Sequence, residues 1–213
     1  MQILVVAATA MEIEPFITSC PGADILITGV GSPATIYQLS KKISGKKYDL
    51  VIQAGIAGCF SPVANELGSV VMVQKDTFAD LGIEEKKSFH TLFELGFARP
   101  DEAPYQNGWL NNDYEFFAKL SLQKVTGVTV NKVSDEIFQR DTLVQKYSPD
   151  VESMEGAAFH FVCLQENIPF LQLRSISNVV GERDKSKWKM KEAIRNLNEA
   201  LSIVVGNLKN ESI

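Results

Sequence analysis

Apolar runs of strand length recur along the chain and alternate with segments of helical period. Ile3 to Ala8, Ile25 to Thr28, Leu50 to Ala54, Ser69 to Val73, Val125 to Val130 and Phe170 to Leu173 predict strands. Several of these are apolar at successive positions, the pattern of a strand covered by helices on both faces. Between them, Met11 to Thr18, Ala34 to Ile43, Ser134 to Tyr147 and Ser153 to Gln165 carry helical spacing. A longer amphipathic helix is predicted from about Lys187 to Leu208. Strand followed by helix, repeated, predicts an α/β layered domain with a mainly parallel sheet.

The stretch from Lys75 to Asn111 breaks this rhythm. It carries Gly82, Gly96, Pro100, Pro104, Asn107 and Gly108, interleaved with Phe78, Phe89, Phe93, Phe97, Tyr105 and Trp109. A structureless loop of that length is unusual in a compact domain, so short strands and an ordered flap are expected. No repeat, low-complexity tract or linker divides the chain, and residues 1–213 are read as a single domain.

A chain of 213 residues can enclose one substantial core. The net charge of −5 and the scattering of basic residues leave no footprint for nucleic acid. Lys185, Lys187, Lys189 and Lys191 alternate along the last predicted helix, which spreads them around it instead of forming a stripe. The apolar run Gln2 to Ala8 has no basic leader and is followed by acids, unlike a signal peptide. No apolar stretch approaches the roughly 20 residues that span a bilayer. Cys20, Cys59 and Cys163 are odd in number and far apart, as free thiols in a reducing compartment would be. His90 and His160 lack ligand-like spacing, so no metal is expected. The reading is a cytoplasmic protein with no membrane partner.

Ligands of open α/β sheets bind where strands end, and four such places carry chemistry. Ala10-Met11-Glu12-Ile13-Glu14 puts two acids near a helix start, for a reaction or simply for the helix dipole. Gly29-Val30-Gly31 and Gly55-Ile56-Ala57-Gly58 follow apolar strands and permit tight turns or close approach of a ligand. Neither matches a dinucleotide or Walker fingerprint, so no nucleotide cofactor is implied. Glu155, in Glu152 to Phe159, shares a helix face with Ala158, Phe159 and Val162. A carboxylate there needs a partner, either an internal cation such as Arg174 or a ligand hydroxyl. Arg174-Ser175-Ile176-Ser177-Asn178 ends a strand in a Ser-Asn pair suited to a polar ring edge, or equally to an Asx turn.

In this order, these segments resemble the nucleoside phosphorylase/nucleosidase superfamily. The resemblance is closer to the nucleosidases acting on methylthioadenosine and adenosylhomocysteine, and closer still to the futalosine hydrolase family. It runs from Gln2 to the final helix and is most specific at Met154-Glu155-Gly156-Ala157-Ala158 and Arg174 to Asn178. Ala10 to Glu14 anchors it upstream, and the flap matches poorly.

The resemblance implies a three-layer α/β/α fold with a central mixed, largely parallel sheet, in a homodimer or larger homo-oligomer. It implies hydrolysis of a purine nucleoside's N-glycosidic bond, with futalosine giving hypoxanthine and dehypoxanthine futalosine in menaquinone biosynthesis. Glu14 aligns with the carboxylate that activates water, with Glu12 the neighbour one register error away. Met154 packs near the ribose, Glu155 accepts from ribose hydroxyls, and Asn178 contacts purine N7; Ile56 and Ser177 belong to the same substrate site.

Two departures refine this. Adenine-specific nucleosidases have an aspartic acid at position 178, whereas an asparagine amide both donates and accepts, which suits a 6-oxopurine. Phosphorylases place an arginine at position 53, where this chain has Gln53, so water is the expected nucleophile. The extension from Asn178 to Asp184, with Trp188 beyond it, also resembles futalosine hydrolase. Arg183 is expected to hold that loop or the substrate's carboxylate, and the aromatic flap to cover the substrate's aromatic tail or to form a subunit interface.

Overall fold

The structure, a computed structural model, describes residues 1–20, 22–86, 88–114, 120–133 and 137–210. The chain opens with β1 (Ile3–Ala7), α1 (Ala10–Ser19), β2 (Asp24–Ile27), α2 (Ser32–Gly45) and β3 (Leu50–Cys59). Then come β4 (Val70–Asp76), a hairpin of β5 (Gly82–Glu85) and β6 (Ser88–Thr91), β7 (Leu110–Asn111) and β8 (Gln123–Thr129). The chain continues with α3 (Ile137–Tyr147), β9 (Val151–Ser153), α4 (Gly156–Gln165), β10 (Phe170–Val179) and α5 (Met190–Asn210). Residues 134–136 of the helix predicted from Ser134 lie outside the described residues.

Eight strands form one mixed sheet in the order β10-β4-β8-β9-β3-β1-β2, with β7 on β4. β1 pairs in parallel with β2 and β3, β3 with β10, and β8 with β4 and β9. The β4–β10, β3–β9 and β4–β7 pairs are antiparallel. Because β10 pairs with both β4 and β3, the strands β3, β10, β4, β8 and β9 close on themselves. On its other edge β3 meets β1 through Leu50 to Gln53 and β9 through Gly58 and Cys59.

The unbroken apolar run of β1 serves both faces. Ile3, Val5 and Ala7 pack with Ile13 and Phe16 of α1 and with Leu197, Leu201, Val204 and Val205 of α5. Leu4 and Val6 pack with Leu39 of α2 and Phe159, Val162 and Cys163 of α4. Full burial of each such side chain is worth about 1.5–3 kcal/mol, and the α5 stripe at four- and three-residue spacing holds that helix on the sheet.

Two expectations change. The turn read at Gly55 to Gly58 is extended strand, and β3 runs on to Cys59. A Cβ on Gly55 would overlap the Arg174 guanidinium, and one on Gly58 would come within 3.0 Å of Val180 Cγ2. These glycines therefore make room, whereas Gly29 and Gly31 do turn the chain, at φ 84° and 92°. Val151 to Ser153 forms a strand, so α4 starts only after Glu155. The described residues of 75–111 form an excursion with short strands, pinned by aromatic contacts. Phe93 meets Tyr105 at 5.2 Å, Tyr105 meets Phe161 of α4 at 6.2 Å, and Trp109 meets Tyr147 of α3 at 6.0 Å between ring centres.

Candidate active site

The parallel strands β1, β3 and β10 deliver their carboxyl ends to one side of the sheet, where a cavity of about 290 Å³ opens. That is near the lower end of small-molecule sites. It is lined from the β1–α1 junction, the second half of β3, the segment Glu152 to Glu155, the end of β10 and the loop after it. None of the described residues of the 75–111 excursion lines it.

Glu12 enters the cavity; Glu14 does not. Two helical residues turn the chain by about 200°, so the two acids of α1 face opposite ways. Glu12 is buried, and Glu14 is exposed on the far side of the helix. Both Glu12 oxygens are held: Oε2 accepts from Thr9 N–H at 2.9 Å and from the Thr9 hydroxyl at 3.0 Å, and Oε1 accepts from Ile56 N–H at 3.2 Å. From behind, the buried Asn198 amide of α5 accepts from Phe16 N–H and donates to the Glu12 carbonyl, both within 2.9 Å. Of the two acids, the structure thus brings Glu12, not the expected Glu14, into the cavity.

Glu155 sits at the start of α4, 6% exposed, with Oε1 accepting from Gly31 N–H at 2.9 Å. Its Oε2 lies 3.7 Å from Arg174 Nη1, an ion pair too long for a direct hydrogen bond. The internal-cation reading of Glu155 is therefore correct, and its cavity position leaves the ligand reading standing beside it. Arg174 is itself buried, giving Nη2 to Gln53 Oε1 at 2.9 Å and Nη1 to the Ile56 carbonyl at 3.4 Å. Beneath α4, Asp76 accepts from the Thr129 hydroxyl and the Gln172 amide, and burial pushes its carboxyl up to about 6. His160 is a core residue whose Nδ1 meets the Leu110 carbonyl at 2.8 Å; burial pulls its pKa down to about 4.

At the end of β10 the Ser177 hydroxyl reaches Asn178 Oδ1 at 2.8 Å, and Asn178 Nδ2 donates to the Val179 carbonyl at 3.0 Å. The Val179 carbonyl, which can only accept, thereby fixes the amide orientation, and the second Nδ2 hydrogen remains for a ligand. Met154, Ile56, Ser177, Asn178 and Arg183 all line the cavity, as expected of them. Arg183 is exposed at the mouth, with no ion pair or hydrogen bond from its side chain among the described residues. Trp188, pinned by its Nε1–H to the Glu182 carbonyl at 2.9 Å, lies in the same rim. Glu152 also lines the cavity, and burial together with the charge of Asp80 pushes its carboxyl up to about 7.

Residues 8–207 match the phosphorylase superfamily. The chain is 33% identical to futalosine hydrolase of Streptomyces coelicolor over 84% of its own length and 77% of that protein. The chain belongs to the futalosine hydrolase family. Futalosine hydrolase of Thermus thermophilus is 31% identical, over 83% of this chain and 78% of that one. In fold, the chain is similar to the native structure of futalosine hydrolase of Helicobacter pylori, with a TM-score of 0.77 at 15% identity, covering 96% of this chain and 97% of that chain.

Sequence reasoning passed over Arg174 as a centre of the site, Glu152 as a cavity carboxylate and Asn198 as a support for Glu12. For Glu12 a signal was present: Thr9 followed three residues later by a glutamate at a helix start is a capping-box spacing, which ties that glutamate to the chain rather than to solvent.

Proposed function

We propose that this chain hydrolyses the N-glycosidic bond of futalosine, releasing hypoxanthine, and that the cavity at the strand ends is where it does so. The observation that carries the placement is the convergence of Glu12, Glu155 and the Ser177–Asn178 pair on one small cavity. Family membership supplies the reaction, and the geometry divides its parts.

The reacting sugar acquires oxocarbenium character as the base leaves. Glu155, anchored by Gly31 and Arg174, accepts from the ribose hydroxyls and places negative charge beside the developing cation. Met154 packs against the sugar. Glu12 orients water and takes its proton as it adds to the anomeric carbon. The Asn178 amide, set by the Val179 carbonyl, donates to N7 or O6 and stabilises charge arriving on the base. Asparagine cannot deliver a proton as an aspartic acid would, which favours a 6-oxopurine leaving group over adenine.

Water is the nucleophile in this reading because position 53 is occupied by a neutral glutamine bonded to Arg174. Arg174 is in turn committed to Gln53, Ile56 and Glu155. Arg183 is the basic residue of the cavity lining, placed at the mouth to meet the carboxylate of futalosine's tail.

The test is product analysis after incubation with futalosine, inosine and methylthioadenosine. Hypoxanthine from futalosine in preference to both others is expected. Adenine released from methylthioadenosine as fast as hypoxanthine from futalosine would overturn the reading of Asn178.

A further inference from the structure

Asn178 of β10 and Glu152 of β9 are both register partners of Gly58, which lies on β3 between them. Neighbouring strands are about 4.8 Å apart, so the two backbones stand roughly 10 Å apart with a bare glycine in the middle. A Cβ on Gly58 would come within 3.3 Å of Asn178 Nδ2 and would narrow the gap. Both flanking side chains line the same cavity. The result is a slot with an amide on one side and a carboxyl group on the other.

Glu152 is 8% exposed, and among the described residues no donor or cation reaches its carboxylate. A buried carboxylate without a partner is costly, and the charge of Asp80 repels it further. The described residues supply nothing to relieve this, whereas a bound donor would.

We propose that Glu152 is a specificity-determining residue that accepts the N1–H of a 6-oxopurine while Asn178 holds the N7/O6 edge. Adenine presents a lone pair at N1, so the ionised carboxylate, the prevailing form above about pH 7 where the test is run, rejects it, and the two side chains select the same base from opposite sides. This rests on the nucleosidase reading above.

The test uses hypoxanthine, 1-methylhypoxanthine and adenine as inhibitors of futalosine cleavage by wild type, Glu152→Ala and Glu152→Gln. Wild type is expected to bind hypoxanthine about tenfold or more tighter than the other two. Glu152→Ala weakens hypoxanthine by about 10- to 100-fold and leaves the other two near their wild-type values. Glu152→Gln, which offers N1 of adenine a donor, narrows the hypoxanthine-to-adenine ratio by about tenfold. That variant decides alone if the alanine variant does not fold. Equal weakening of all three bases, or an unchanged hypoxanthine constant, overturns the proposal while leaving the nucleosidase reading intact. If wild type releases no hypoxanthine from futalosine, that reading fails and the role of Glu152 falls with it.

Discussion

Glu12→Gln separates chemistry from stability, because the two costs differ in size. The Glu12 carboxylate serves two backbone N–H groups, those of Thr9 and Ile56, one on each oxygen, and the Thr9 hydroxyl as well. Glutamine has one oxygen. Whichever way its amide turns, one partly buried backbone N–H loses its acceptor, at no more than about 1–3 kcal/mol. For a domain of this size each kcal/mol lowers Tm by about 2–4 °C. With a usual stability of about 5–15 kcal/mol, the variant remains folded at 25 °C. Loss of the base should slow turnover by about 10²–10⁴-fold, or about 3–5 kcal/mol in the barrier. The assay is hypoxanthine release at 25 °C beside thermal melting of the same preparations. Glu14→Gln is the control: its exposed side chain lies outside the cavity, and both Tm and rate should match wild type. A Glu12→Gln enzyme retaining more than about a tenth of wild-type turnover, or a Glu14→Gln enzyme that is dead, would refute the assignment.

Asn178→Ala should lower kcat by about 10²–10³-fold, the usual effect of losing one donor to developing charge; steady-state kinetics on futalosine checks it. Asn198→Ala leaves Phe16 N–H and the Glu12 carbonyl without their α5 partner, and should lower both Tm and kcat by displacing Glu12. Unchanged kcat with a lowered Tm would make Asn198 purely structural. Arg183→Ala should raise KM for futalosine and leave inosine kinetics unaltered, since only the former carries a carboxylate for it. Glu152→Gln should also be more stable than wild type above pH 7. The folded-state value of about 7 exceeds the ordinary 4.5, so wild-type stability falls as pH rises between them. The difference between the two proteins should be absent below pH 4.5 and reach about 3 kcal/mol above pH 7, read as Tm against pH.

The sheet and its covering helices were legible because β1 and β3 carry apolar residues at successive positions and α5 carries a single apolar stripe. What escaped was set by contacts distant in sequence. Gly55 and Gly58 read as turn residues because glycine usually marks turns; here they are strand positions emptied for Arg174 and Asn178. β9 has three residues, too few for a period, and its segment blends into the helical pattern of α4. Glu12 and Glu14 are alike in type and neighbourhood, and only the packing of α1 on α5 through Ile13, Phe16 and Asn198 decides which one faces the cavity. By contrast Ser177 and Asn178 were recoverable because they close a strand that the apolar pattern already marks, and Met154 and Glu155 because they stand in the segment where the family resemblance is most specific.

The central claim is hydrolysis of futalosine by water. The most direct measurement is the rate of hypoxanthine release from futalosine in phosphate-free buffer, repeated after phosphate is added. Attack by water gives steady release at the same rate in both, with a free sugar hydroxyl in the second product. Release that begins only with phosphate and yields a sugar 1-phosphate would contradict it.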